Sequence, residues 1–200
     1  NYFDSTALVD KSSITPIKNL PNPRSRHCNV LLNNSQFMVT GGYDGTSKNA
    51  LSETLIFDLV NDRWSPGPSM NEKRAMHGCA KMILGDKSYL WVTGGAKRRW
   101  GGGQSTEYLD LSNINQGWKL GPDLPYALFW QRLVASEDLK TIYSTGGLFD
   151  NNGGEILEMQ CSGSTPDTCV FKPAASNMKV NRYAHVVIPL SHSVAANLCA

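Results

Sequence analysis

Short apolar runs recur along this chain, separated by polar stretches rich in glycine, proline, asparagine and aspartate. That is the pattern of β-strands joined by tight turns. No segment sustains helical apolar spacing over several turns, so no long helix is expected. The runs also repeat. Val39-Thr40-Gly41-Gly42, Val92-Thr93-Gly94-Gly95 and Ser144-Thr145-Gly146-Gly147 each close an apolar run with a twin glycine, at offsets of 53 and 52 residues. A period of about 50 residues predicts propeller blades, small sheets whose apolar faces are buried only by stacking against neighbours.

Three whole units follow from the spacing. Residues 22–71 carry expected strands at 24–32, 36–40, 52–59 and 63–65, with a turn at Asn33-Asn34-Ser35 and a stop at Pro66-Gly67-Pro68. Residues 72–125 repeat the order at 76–84, 89–93, 105–111 and Trp118, and residues 126–178 at 132–136, 141–145, 154–160 and 169–172. At the ends, 5–10 and 14–16 align with the outer third and fourth strands of a blade, and 182–190 with an innermost first strand. The expectation is an all-β propeller of four-stranded antiparallel blades over residues 1–200, about four blade-equivalents. In it, 1–21 gives the outer strands of a shared blade and 179–200 the inner strand of a shared or following one. A piece of a larger ring is the preferred reading. The alternatives are a four-blade ring, with Ala7-Leu8-Val9 and Val186-Val187-Ile188 in one blade, and completion of the ring by another chain.

Further recurring residues sharpen this picture. Arg24-x-x-His27, Arg74-x-x-His77 and Arg182-x-x-His185, the twin glycines, and the aromatics Trp64, Trp118 and Phe171 together resemble the Kelch repeat, over most of residues 22–190. Leu128 and Gln131 depart from the pattern in the third unit, and Ile14 stands where tryptophan is expected in the first fragment. The resemblance implies a Kelch-type β-propeller, a fold that commonly binds partner peptides on a loop face. Gly41, Gly42, Gly94, Gly95, Gly146 and Gly147 are read as structural, letting backbone pass close to a neighbouring blade, with Trp64 and Trp118 filling the space beside them. His27, His77 and His185 are read as hydrogen-bonded structural residues. One histidine per blade without acidic or thiol partners is a poor ligand set, so no metal or other cofactor is expected.

Charge and cysteine usage narrow the class. A net charge of +2 falls far short of a dedicated nucleic-acid binder, and a single tryptophan among the cations of residues 97–100 is too few stacking aromatics for single strands. No apolar run is long enough to span a bilayer, and residues 1–20 lack a charged start followed by an apolar block, so neither anchor nor signal peptide is expected. The absent initiator methionine fits a mature, trimmed or partial chain. Of the five cysteines, Cys161 and Cys169 flank a turn-rich loop and predict a disulfide. Cys28 and Cys79, in apolar strands, read as buried thiols, and Cys199 is the odd one. The predicted disulfide and the glycosylation triplet at Asn33 point to an extracellular or secreted protein, with a cytoplasmic one as the alternative.

In an antiparallel meander, the loop leading into strand one and the loop between strands two and three emerge on the same face. That face collects the candidate partner-binding residues Arg24, Arg26, Tyr43, Arg74, Lys97, Arg98, Arg99, Trp100, Phe149 and Arg182. Guanidinium forks beside aromatic surfaces suit carboxylate-bearing peptides or glycans, and the expected partner is a protein or peptide of acidic character. The same arginines also suit carbonyls within the ring, and loop 97–103 reads as a contact site or a solvated insertion, with a processing site as a further alternative. The leading expectation is a non-catalytic interaction module. The alternatives are a structural subunit of a larger assembly, or an enzyme of the galactose-oxidase-like or sugar-isomerising Kelch kind. No nucleophile, zinc or phosphate-loop motif supports catalysis, and Glu155 and Glu158 fall on opposite faces of their expected strand.

Overall fold

The computed structural model describes residues 6–9, 14–97, 101–148 and 154–185, and it is all β apart from two single-turn 3-10 segments, Ile114–Gln116 and Pro166–Thr168. An N-terminal antiparallel pair, β1 (Thr6–Val9) and β2 (Ile14–Ile17), comes first. Then follow β3 (Arg24–Ser25), β4 (Cys28–Asn33), β5 (Gln36–Thr40), β6 (Tyr43–Asp44), β7 (Thr54–Asp58) and β8 (Arg63–Pro66). The first complete blade is the meander β4-β5-β7-β8, and β3 and β6 form a small ribbon at one end of it. The second blade is β9 (Gly78–Leu84), β10 (Lys87–Thr93), β11 (Thr106–Asp110) and β12 (Lys119–Leu120). The third is β13 (Arg132–Ala135), β14 (Ile142–Thr145), β15 (Ile156–Cys161) and β16 (Cys169–Pro173).

Stacking explains why the middle strands are apolar without clean alternation. On β10, Leu90 and Val92 pack toward the first blade with Met38 and Ile56, while Tyr89 and Trp91 pack toward the third with Ile142 and Leu157. Both faces are covered, so both parities are apolar. At the outer edge, Trp118 Nε1 donates to Pro68 O and Trp64 Nε1 to Lys18 O, each at 2.8 Å, tying each blade to the chain leaving the unit before it.

The twin glycines make the inner crossings. Gly42, Gly95 and Gly147 donate their N–H to the carbonyls of Arg74, Leu128 and Arg182 in the following unit, at 2.8, 2.8 and 2.9 Å. The glycine before each donor has φ of 54, 59 and 59°, and a Cβ there would collide with the same carbonyl. Next to each crossing lies a side-chain latch. His77 Nε2 lies 2.8 Å from Thr40 Oγ1, and His185 Nε2 lies 2.9 Å from Thr145 Oγ1. Gln131, the departure from the repeat, does the same work by donating to Thr93 O at 2.7 Å and to Thr93 Oγ1 at 3.3 Å. The Thr40 hydroxyl is directed at Cys28 O, which leaves its oxygen to accept from a neutral, Nε2-protonated His77. Burial, helped by the nearby Arg74 charge, lowers the His77 pKa from 6.5 to about 3 and keeps the ring in that form.

Two expectations are corrected here. Cys28 and Cys79 are not buried thiols: they form a disulfide between the inner strands of the first and second blades, with Cα atoms 6.0 Å apart. Cys28 lies one residue after His27 and Cys79 two after His77, so the two side chains leave their sheets on opposite faces and meet in the seam. The expected strand 24–32 is also interrupted, and the one expected at 76–84 begins only at Gly78, because Arg26 and Met76 take φ of 57° and 58°. The Cys161–Cys169 disulfide joins directly paired positions of β15 and β16. Cys199 and the proposed partner strand 186–188 lie outside the described residues.

Candidate functional site

The left-handed residues at or just ahead of the inner strands build the face where recognition is expected. Arg26, Met76, Trp130 and Ala184 occupy the same place in successive units, just before His27, His77, Gln131 and His185, with φ of 57, 58, 64 and 51°. Their backbones form a chain of hydrogen bonds from blade to blade: Met76 N donates to Arg26 O at 2.9 Å, Trp130 N to Met76 O at 2.8 Å and Ala184 N to Trp130 O at 3.1 Å. The left-handed conformation disfavours ordinary L-residues, yet none of the four positions is glycine.

The side chains of the first three meet. The exposed Arg26 guanidinium stands 4.8 Å from the Trp130 ring centroid and 5.7 Å from that of Tyr43, and its Nη1 lies 3.7 Å from Met76 Sδ. A cation on the first blade is thereby held over an indole on the third, across a methionine of the second. Tyr43, Met76, Ala50, Ala75 and Ala96 form the buried floor, with Phe129 and Trp130 partly buried against it. Among the described residues no carboxylate pairs with Arg26. Its fork is oriented by the ring contacts and open to an incoming anion.

Arg24 and Arg74, expected at the partner surface, are buried instead, each 2% exposed. Each clamps its own blade. Arg24 donates to Gly41 O at 3.2 Å and pairs with Glu53, and Arg74 donates to Gly94 O and Ser105 O at 2.9 and 2.8 Å and pairs with Glu107 at 2.9 Å. Glu107, which sequence reasoning did not single out, is fully buried and also accepts from the Asn71 and Glu72 backbone N–H groups at 2.7 and 3.0 Å. Five donor contacts from three residues make its burial tolerable. The signal was present as an acid in the third strand of a blade whose first strand is preceded by arginine.

The other expected residues divide. Lys97 is exposed and bonded to Glu72 Oε1 at 3.1 Å, and Arg182 is exposed. Burial works to raise the Glu72 carboxyl, but hydrogen bonds from Ser105 and Lys97 and the Arg74 charge outweigh it and hold its pKa below the ordinary value. Glu72, Lys73, Lys97 and Gly101 to Gly103 line a cleft of about 420 Å³ beside the floor just described. Arg98, Arg99, Trp100 and Phe149 lie outside the described residues. Burial, with Arg24 nearby, lowers the pKa of His27, and burial with Arg132 and Arg182 lowers that of His185. Among the described residues, no group of three or more His, Cys, Asp or Glu side chains is placed to hold a metal ion, and no helix is long and apolar enough to cross a membrane.

Known proteins place the fold. Residues 23–71 match the family model described as the Kelch motif. No curated protein matches the chain in sequence. Among solved structures, one described as "Structure of YjhT" superposes with a TM-score of 0.66 at 13% identity, covering 90% of this chain and 66% of that chain. The present chain thus spans just under two thirds of that protein's length, and at such identity the likeness concerns the fold. The glycine crossings, the tryptophan ties and the four-stranded meanders, with a Kelch motif at residues 23–71, make this chain a Kelch-type β-propeller in fold.

Proposed function

We propose that this chain is a non-catalytic interaction module that binds a carboxylate-bearing protein or peptide on its loop face, in an extracellular setting. One observation carries the reading: the exposed Arg26 guanidinium, stacked on Trp130 beside Tyr43, has no carboxylate partner among the described residues. A planar fork already oriented by aromatic rings loses little side-chain freedom when it takes a carboxylate through two parallel hydrogen bonds. Phe129 and Trp130 offer rigid apolar area next to it. Lys97 and Arg182 are exposed cations of the same face. The Lys97–Glu72 contact is a surface pair, a kind worth little, so Lys97 is available to exchange partners. Two disulfides, one of them stapling blade to blade, support the extracellular setting.

The test is a synthetic peptide array in which each Asp or Glu is matched by its Asn or Gln counterpart. The chain is expected to prefer the acidic member of a pair, and Arg26→Ala to lose about 2 kcal/mol of that preference, the scale of a charge-assisted hydrogen bond. Peptides bound equally by wild type and Arg26→Ala would sink the reading.

A further inference from the structure

Asn33 begins the only Asn-x-Ser/Thr triplet in the chain, and the recognition face makes no use of it. It ends β4, and the turn Asn34-Ser35 connects it to Gln36 at the start of β5, its cross-strand partner. Asn33 and Asn34 are exposed. Asn33 Oδ1 accepts from Ser35 N at 2.9 Å and Ser35 Oγ at 3.0 Å, and Asn33 Nδ2 donates to Gln36 Oε1 at 3.1 Å. All three bonds lie at the surface.

We propose that Asn33 is an N-glycosylation site whose glycan projects from the end of the propeller opposite the recognition face. The proposal rests on the extracellular reading above and is independent of what the loop face binds. In the transfer, Asn33 Nδ2 forms a bond to C1 of the first sugar of a lipid-pyrophosphate-linked oligosaccharide. The C1–O bond breaks, the lipid pyrophosphate leaves with the electron pair, and one Nδ2 proton is lost to base. The product amide retains one N–H, enough for the single bond to Gln36, and Oδ1 keeps both contacts with Ser35. The folded turn therefore accommodates the modification without breaking a hydrogen bond of its own.

Placement gives the site a consequence. β4 runs from Cys28, next to the Arg26 end of the blade, to Asn33, a span of roughly 17 Å at about 3.3 Å per residue. A glycan there keeps the far end of the inner strands in solvent and excludes flat packing of that end against another protein. The loop face remains clear.

The full chain is to be secreted from a eukaryotic host, and its intact mass measured before and after peptide-N-glycosidase treatment in heavy-oxygen water. A glycan mass that disappears on treatment and leaves a labelled Asp at position 33 is expected. Asn33→Gln and Ser35→Ala should each abolish the shift completely, and Asn34→Gln should leave it. If the chain is retained in the cell, endoglycosidase H on the retained pool reads the same site. A chain with both disulfides formed and Asn33 unmodified overturns the proposal. Peptide-array binding measured on the same samples keeps the two readings separate, because Asn33→Gln is expected to bind as wild type does.

Discussion

The seam between the first and second blades and the seam between the second and third come from one repeat, yet they are held differently. The first has the smaller apolar cluster, eight buried residues around Leu90 and Trp118 against twelve around Trp91 and Leu128 in the second. It compensates with a covalent link, Cys28–Cys79, and a histidine latch. The second has no disulfide and is latched by the uncharged Gln131. A blade interface can thus be fastened by dispersion and burial or by a staple, as long as the glycine crossing is kept. The two solutions also respond differently to reduction and to acid.

Removing the staple is expected to have the largest effect. Cys28→Ala with Cys79→Ala opens a loop with a sequence separation of 51 residues and should cost about 4 kcal/mol by chain entropy, read by denaturant unfolding. The Cys161–Cys169 pair closes a separation of only 8 and should cost about 2.5 kcal/mol when removed in the same way. Equal losses would mean that the seam is not where the first disulfide acts.

Leu128→Ala probes the seam that relies on packing. Its side chain is 3% exposed within the larger cluster, and its truncation should cost about 3 kcal/mol, with no dependence on reductant. A loss below about 1 kcal/mol would show that the second seam is held chiefly by polar contacts.

The smallest effect separates the latches. The folded-state pKa of His77, about 3, lies below its unfolded value near 6.5, so on acidification the unfolded chain takes up the proton first. Its contribution is complete above about pH 6.5 and is lost as the pH falls toward about 3, with a slope of at most about 1.4 kcal/mol per pH unit. His77→Gln, which copies the Gln131 latch, should remove that slope while leaving stability at neutral pH nearly unchanged. Denaturant unfolding at a series of pH values gives the answer, and superimposable acid profiles for the two proteins would refute the latch assignment.

The blades were legible in the sequence because the glycine doublets and fourth-strand aromatics recur at fixed spacing and each has one steric job. Gln131 could be aligned with the histidines, but its equivalence as a latch needed the Thr93 contact. The Cys28–Cys79 bond was not legible from composition. It depends on a one-residue difference in parity between strands of different blades, visible only once neighbouring inner strands are laid side by side. The arginines were misjudged for a related reason. Reading 24–32 as one strand gave Arg24 and Arg26 the same outlook, whereas the left-handed turn at Arg26 buries the first against Glu53 and lifts the second onto Trp130.

The bonds that pass from Arg26 to Met76, Trp130 and Ala184 run from blade to blade as a strap, crosswise to the ladders within each blade. Only peptide groups make that strap, so the residue mounted at each station can be exchanged without loosening it, provided the newcomer tolerates a positive φ and keeps its N–H. Arginine, methionine, tryptophan and alanine already share the four stations. The scaffold therefore separates what joins its blades from what it displays at the rim, and those side chains are free to change on an unchanged frame.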